Sequence, residues 1–265
     1  MRSTGSCCAV NDDLNACADL VRRADPERFS AAMAAPVAAR AVLFPIYAFN
    51  VEVARAPWLT AEPMIAEMRL QWWRDALEEI GAGGTVRRHE VVTALAGVLD
   101  GEGAALLDAL IAARRWDIYK DPFEDAAHFE EYLTRTAGHL MLAAARALGA
   151  AQAAPVLDVG YASGLANYLR AIPALEAAGR VPLLDGREDG LRQLAAAGLA
   201  RLKAGRAARL AVPKSAAPAL YAAWMAGPVL RRAAAKPALV GQGGLDPAQA
   251  GARLRLMGVA LSGRW

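Results

Sequence analysis

Apolar positions along this chain recur every three or four residues, and Gly and Pro interrupt the pattern at intervals. That spacing is a helical period, and it continues from one end to the other with no sustained apolar/polar alternation. Asp25-Pro26 has the form of an N-cap followed by a first-turn proline and predicts a helix through Ala32. Pro36 restarts a helix through Ala39, Leu43, Tyr47 and Asn50 to about Arg55. Pro45 predicts a kink or break inside it, and Ala56-Pro57 its end. Thr60 is placed to cap a helix over 64–80, in which Ile65, Met68, Trp72 and Leu77 form one stripe. Further helices are predicted over 90–99, 104–119, 126–148, 153–171, 190–210, 216–235 and 247–261. The segment 235–246 reads as the most flexible connection, and residues 1–20 as a disordered or frayed N-terminus. Residues 21–265 then form a single domain without internal repeats or sustained heptads.

Composition agrees. Hydrophobic residues make up 55% of the 265 positions but aromatics only 6%, and alanine, the best helix former, supplies much of the difference. The expected fold class is all-α. The formal charge is +3, and arginine reads as spread through helical segments, a solvated surface. No basic face interleaved with aromatics is seen, so nucleic acid is not an expected partner. A basic pocket for a diphosphate, or weak attraction to anionic lipid, stays open.

Cys7, Cys8 and Cys17 form no CxxC pair and read as free thiols in a reducing compartment. His89, His128 and His139 lie far apart, and no metal site is expected from them. The N-terminus lacks an apolar leader core and carries Asp12 and Asp13. No charge-free apolar run of 18 residues occurs; the most apolar region, 140–169, is interrupted by Arg146 and Asp158. The expectation is no transmembrane segment and a cytoplasmic location. No nucleophile elbow, phosphate loop or dinucleotide fingerprint stands in a strand-to-helix setting.

Three segments carry more information. Residues 40–58, RAVLFPIYAFNVEVARAPW, contain an Arg, an apolar run and Tyr-Ala-Phe. Residues 162–184, ASGLANYLRAIPALEAAGRVPLL, follow the pattern A-x-Q-x-x-N-x-L-R-D-x-x-E-D-x-x-x-G-R-x-Y-L-P without a gap, with Asn167, Leu169, Arg170, Gly179, Arg180 and Leu183 in place. Between them, Tyr132 to Gly138 match Y-x-x-x-x-A-G. Together and in this order they resemble the squalene/phytoene synthase family. The resemblance implies a single-domain isoprenoid-synthase helical bundle around a central cavity.

It also implies chemistry that this chain is not equipped to perform. Members that condense prenyl diphosphates use two aspartate clusters on facing helices to hold Mg2+, which draws off the diphosphate. The first cluster falls on Ala54, Arg55 and Trp58, and the second on Ala171, Ala174 and Leu175. None of these offers a carboxylate. The strings Phe49-Asn50-Val51-Glu52, Met68 to Trp73, and Arg170-Ala171-Ile172-Pro173 resemble instead the branch of the family that lacks the aspartates and includes a mitochondrial assembly factor of respiratory complex I.

The resemblance implies ligand or phosphate contacts at Arg40, Tyr47, Asn50, Arg55, Tyr132, Asn167, Arg170 and Arg180. A bland reading stands beside three of them: Asn50 bonded to a neighbouring helix, and Arg170 and Arg180 in structural ion pairs with Glu52 or Glu176. Trp72 and Trp73 read as core packing for at least one of the two. The implied function is a non-catalytic member that binds an isoprenoid, a lipid or a protein partner, in respiratory-complex assembly, peripheral to the inner membrane. No cofactor is expected on that reading. The alternative is an active prenyltransferase that holds Mg2+ with other carboxylates: Glu52, Glu67 and Asp75, with Glu62 and Glu176 nearby.

Overall fold

The computed structural model describes residues 5–149 and 152–265, and among them every regular element is helical, with no strand. In chain order the helices are α1 (Gly5–Ala24), α2 (Pro26–Ala34), α3 (Val37–Arg55), α4 (Pro63–Gly81), α5 (Glu90–Ala96), α6 (Gly101–Arg114) and the single turn α7 (Trp116–Tyr119). There follow α8 (Ala126–Leu133), α9 (His139–Leu148), α10 (Ala153–Ala177), α11 (Glu188–Ala207), α12 (Ala226–Ala235) and α13 (Gln249–Ser262). Helix α3 lies between α1, α5 and α9, and α10 between α9, α11 and α12. These two helices carry the two degenerate motifs.

Helix α3 is apolar all round because it is enclosed all round: every residue from Leu43 to Val51 is buried. Enclosure also explains Pro45. The missing N–H does not break the helix, which runs unbroken from Val37 to Arg55, because packing on every side holds the proline turn in place. The stretch Val37–Trp58 is long and apolar enough to cross a membrane, but most of it is buried inside the bundle.

Elsewhere the structure departs from the sequence expectations in specific ways. The N-terminal segment is helical from Gly5, and Asp13, Cys17, Leu20 and Val21 are buried against the bundle. Cys17 is unpaired, and burial, with Glu90 and Asp13 adding to it, pushes its thiol up to about 12. Cys7 and Cys8 lie outside the described side chains. In α4 the buried face is Ala66, Leu70, Trp73, Ala76, Leu77 and Ile80, whereas Ile65 and Met68 are exposed. The expected stripe was one step out of phase, and Thr60 accepts from the Glu62 amide ahead of the helix rather than capping it. The connection 235–246 packs Val240 and Leu245 into the core at 1% exposure each, so it is tied down.

The predicted helix over 126–148 is divided by a wider turn at Thr134–Gly138. The Thr136 hydroxyl donates to the Tyr132 carbonyl at 2.6 Å, and α10 presses on this turn through glycines. A Cβ on Gly160 would lie 2.7 Å from the Gly138 Cα, and one on Gly164 would lie 2.5 Å from the Ala137 Cβ. Widened turns of this kind recur at functional sites. Here the turn brings Tyr132, Thr136 and Ala137 to a cavity.

Candidate functional site

Helices α3 and α10 face each other across a cavity of about 490 Å3, within the range of small-molecule sites. Asn50, Ala54 and Trp58 line it from the α3 side, and Gly164, Asn167, Ala171, Ala174 and Leu175 from α10. Four positions that would carry the aspartates are here aliphatic, namely Ala54, Ala171, Ala174 and Leu175, and the fifth lining position is Trp58. Arg55 turns to a wider polar vestibule of about 870 Å3, which shares Arg28, Asn50, Ala54, Arg114, Asn167 and Ala171 with the cavity.

One carboxylate reaches the cavity wall. Asp117, 6% exposed, receives the Tyr132 hydroxyl at 2.9 Å, Arg114 Nη1 at 3.0 Å and Arg180 Nη1 at 3.2 Å. Arg114 Nη1 also donates to the Tyr132 oxygen at 2.9 Å. Burial pushes the Tyr132 hydroxyl well above its ordinary value, so it stays a neutral donor. Burial opposes the charge on Arg114, but Tyr132 and Asp117 beside it raise its pKa overall. Two guanidiniums thus share one carboxylate, and the wall carries a surplus positive charge in a desolvated setting. The Nε atoms of Arg114 and Arg180 and the Trp116 indole N–H are buried without partners among the described residues. Below the network, Trp116 stacks on Phe123 with centroids 3.9 Å apart, and Arg180 lies 4.5 Å over the Trp116 ring.

This donor set does not fit a divalent cation. Hard cations need several oxygen ligands, and Asp117 is held by two arginines and a tyrosine. Among the described residues no group of three or more His, Cys, Asp or Glu side chains converges.

The structure gathers some of the sequence candidates and disperses others. Asn50, Tyr132 and Asn167 line the cavity. Asn50 is 6% exposed and makes no side-chain hydrogen bond to another described residue, so the expected bond to a neighbouring helix is not formed. Arg180 sits behind the wall, paired with Asp117 rather than Glu52 or Glu176. Arg170, at the vestibule, pairs with Glu27 at 2.7 Å and Asp246 at 2.6 Å rather than with Glu52 or Glu176. Tyr47 is buried, its hydroxyl 3.5 Å from the Ala219 carbonyl. Arg40 is remote from the cavity and donates to the Met33 and Ala35 carbonyls at the end of α2. Of the alternative carboxylates, Glu52 pairs with Arg55, Glu67 with Arg115 and Tyr119, and Asp75 accepts from Gln71; none lines the cavity.

Sequence reasoning missed Arg28, Arg114, Asp117, Thr136 and Tyr168, all of which line the cavity. The only local trace of the network is the i,i+3 spacing of Arg114 and Asp117 across the short turn between α6 and α7. Trp73 is core, while Trp72 is half-buried on an outer groove with Ile65 and Met68.

Solved structures share this architecture. A dehydrosqualene synthase crystallised with ligand superposes with a TM-score of 0.76 at 16% identity, covering 94% of this chain and 96% of its own. Squalene synthase HpnC from Alicyclobacillus acidocaldarius gives 0.66 at 21% identity, covering 88% and 95%. These likenesses establish the fold. Among curated proteins, the NADH dehydrogenase (ubiquinone) complex I assembly factor 6 homolog of Drosophila melanogaster is 32% identical over 168 residues, covering 59% of this chain and 50% of the relative. Assembly factor 6 of Homo sapiens is 25% identical over 174 residues, covering 59% and 48%. This chain therefore spans about half the length of the curated relatives it matches. The squalene/phytoene synthase family profile matches residues 21–183, which take in α3, the widened turn and α10. The all-helical bundle, the motif order and the profile converge: the chain belongs to the squalene/phytoene synthase family.

Proposed function

We propose that this chain is a non-catalytic member of the family, which holds an apolar ligand with an anionic head in the α3/α10 cavity without metal. The observation that carries this reading is the composition of the wall. Aliphatic side chains stand where a metal-diphosphate bridge would need carboxylates, and the one acid present, Asp117, is already outnumbered by Arg114 and Arg180. Arg114 and Asn50 supply donors toward the ligand head. Ala171, Ala174 and Leu175 supply apolar surface for a tail such as an isoprenoid chain. Static binding of this kind does not lower a barrier to ionisation, because no group strengthens its hold as charge develops. Similarity to complex I assembly factors supports a role in respiratory-complex assembly, with the protein cytoplasmic and peripheral to the inner membrane, the cavity serving as a lipid or partner sensor.

The test is calorimetric titration with farnesyl diphosphate in EDTA and again in Mg2+. The expected result is binding that is unchanged, or weaker, when Mg2+ masks the diphosphate charge. Binding that requires Mg2+ would restore the alternative, a prenyltransferase with recruited carboxylates. For the cellular role, removing the gene from its source organism and measuring assembled complex I should show a deficit that the intact chain restores.

A further inference from the structure

The arginines of this chain fall into two populations. Those up to Arg201 are largely paired with acids: Arg28 with Asp25, Arg74 with Asp108, Arg87 with Glu79, Arg170 with Glu27. None from Arg206 onward forms an ion pair with a described residue. Composition explains the difference. Residues 206–265 hold nine Lys and Arg against a single acid, Asp246, a net charge of +8, whereas residues 1–205 hold 21 against 26, a net charge of −5. The mild overall +3 hides this division, and the even spread read from the sequence does not hold for the last 60 residues.

The fold gathers these charges. Arg206 and Arg209 at the end of α11 meet Arg255 of α13 and the following Arg264 around a depression of about 490 Å3. Burial, together with Arg231 and Arg255 nearby, pushes the Arg206 pKa down. Arg206 Nε donates to the Trp265 carbonyl at 2.9 Å. The Trp224 ring also lines the depression; the residue is 8% exposed, and its indole N–H has no partner among the described residues.

Apolar surface adjoins the charge. Helix α13 docks on the bundle through Ala252 and Val259, and on its outer side exposes Leu254, Met257 and Leu261 at 69, 58 and 87%. Leu254 and Leu261 stand four and three residues from Gly258, which lines the depression, so they share its rim. Leu210, beside Arg209, is 94% exposed. Aliphatic side chains flanked by unpaired arginines are the pattern of a helix lying in a lipid headgroup layer. The aromatics at this depression are the buried Trp224 and the half-buried Trp265, and among the described residues none beside it is fully exposed as a platform for stacking bases.

We propose that the α11/α13 end of the bundle docks on an anionic lipid surface. Arg209, Arg255 and Arg264 gather phosphate headgroups, while Leu210, Leu254 and Leu261 enter the acyl boundary. The site is remote from the α3/α10 cavity and shares no lining residue with it.

The test is co-sedimentation of the full chain with vesicles of phosphatidylcholine alone and of phosphatidylcholine with phosphatidylglycerol, at low and high salt, beside light scattering of the chain alone. The expected result is partition to phosphatidylglycerol vesicles only, weakened by salt and at least about 100-fold weaker in R209E/R255E/R264E. L254S/L261S should weaken it independently and reads the apolar half of the site should the charge-reversed chain fail to fold. Partition to neutral vesicles alike, no partition at all, or binding unchanged in both variants would overturn the proposal. So would a dimer in solution that L254S/L261S dissolves, because the exposed face would then belong to a second copy.

Discussion

Asp117→Ala is expected to lower the unfolding free energy by about 3–5 kcal/mol, among the largest effects of any single substitution in this chain. The carboxylate is 6% exposed and accepts from Arg114, Tyr132 and Arg180. Its removal leaves two guanidiniums in a desolvated wall with no counter-charge, and one of them, Arg180, has a side chain only 1% exposed. The measurement is a urea midpoint at unchanged slope. Asp185→Ala, which removes the partner of the exposed Arg187 and one acceptor of its backbone amide, should lower the midpoint far less. A small Asp117 effect equal to that of Asp185 would mean that the network is not closed as described.

Ala171→Trp is expected to abolish ligand binding while leaving the fold intact. Ala171 is half-buried and lines both the cavity and its vestibule, so an indole there projects into existing space rather than into packed core. Affinity for farnesyl diphosphate should fall at least about 100-fold, since the ring would occupy the volume that buries the ligand tail. Circular dichroism and the thermal midpoint should match wild type. Retained affinity would place the ligand elsewhere, and vesicle binding, which uses the other end of the molecule, should not change.

Much of this was legible because both motifs are local. Helical offset puts Asn50 and Ala54 on one face of a helix, and the family resemblance, not the spacing, implied that this face and the one carrying Asn167 and Ala171 look into a common cavity. Fold class was legible for the same reason. What escaped is what depends on distant partners. Arg170 meets Glu27, 143 positions away, and no spacing rule nominates that acid over Glu176 on its own helix. Asp117 lies in a short turn outside every motif, and its role appears only when Tyr132 and Arg180 arrive from two other elements. In helix α4 the phase is ambiguous in sequence: Ile65-Met68-Trp72 and Leu70-Trp73-Leu77 are both acceptable stripes, and only the neighbouring helices decide which is buried. Pro45 predicts a break that does not occur, because tertiary enclosure outweighs one lost hydrogen bond.

The cavity is proposed to bind its ligand without transforming it. Purified protein incubated with labelled farnesyl or geranylgeranyl diphosphate, Mg2+ or Mn2+, and a reductant should yield no head-to-head hydrocarbon above the no-protein control. With aliphatic or aromatic residues at every lining position of both aspartate clusters, nothing bridges the departing diphosphate. Hydrocarbon product that is lost in Glu52→Gln or Glu67→Gln would contradict the account and show recruited carboxylates at work.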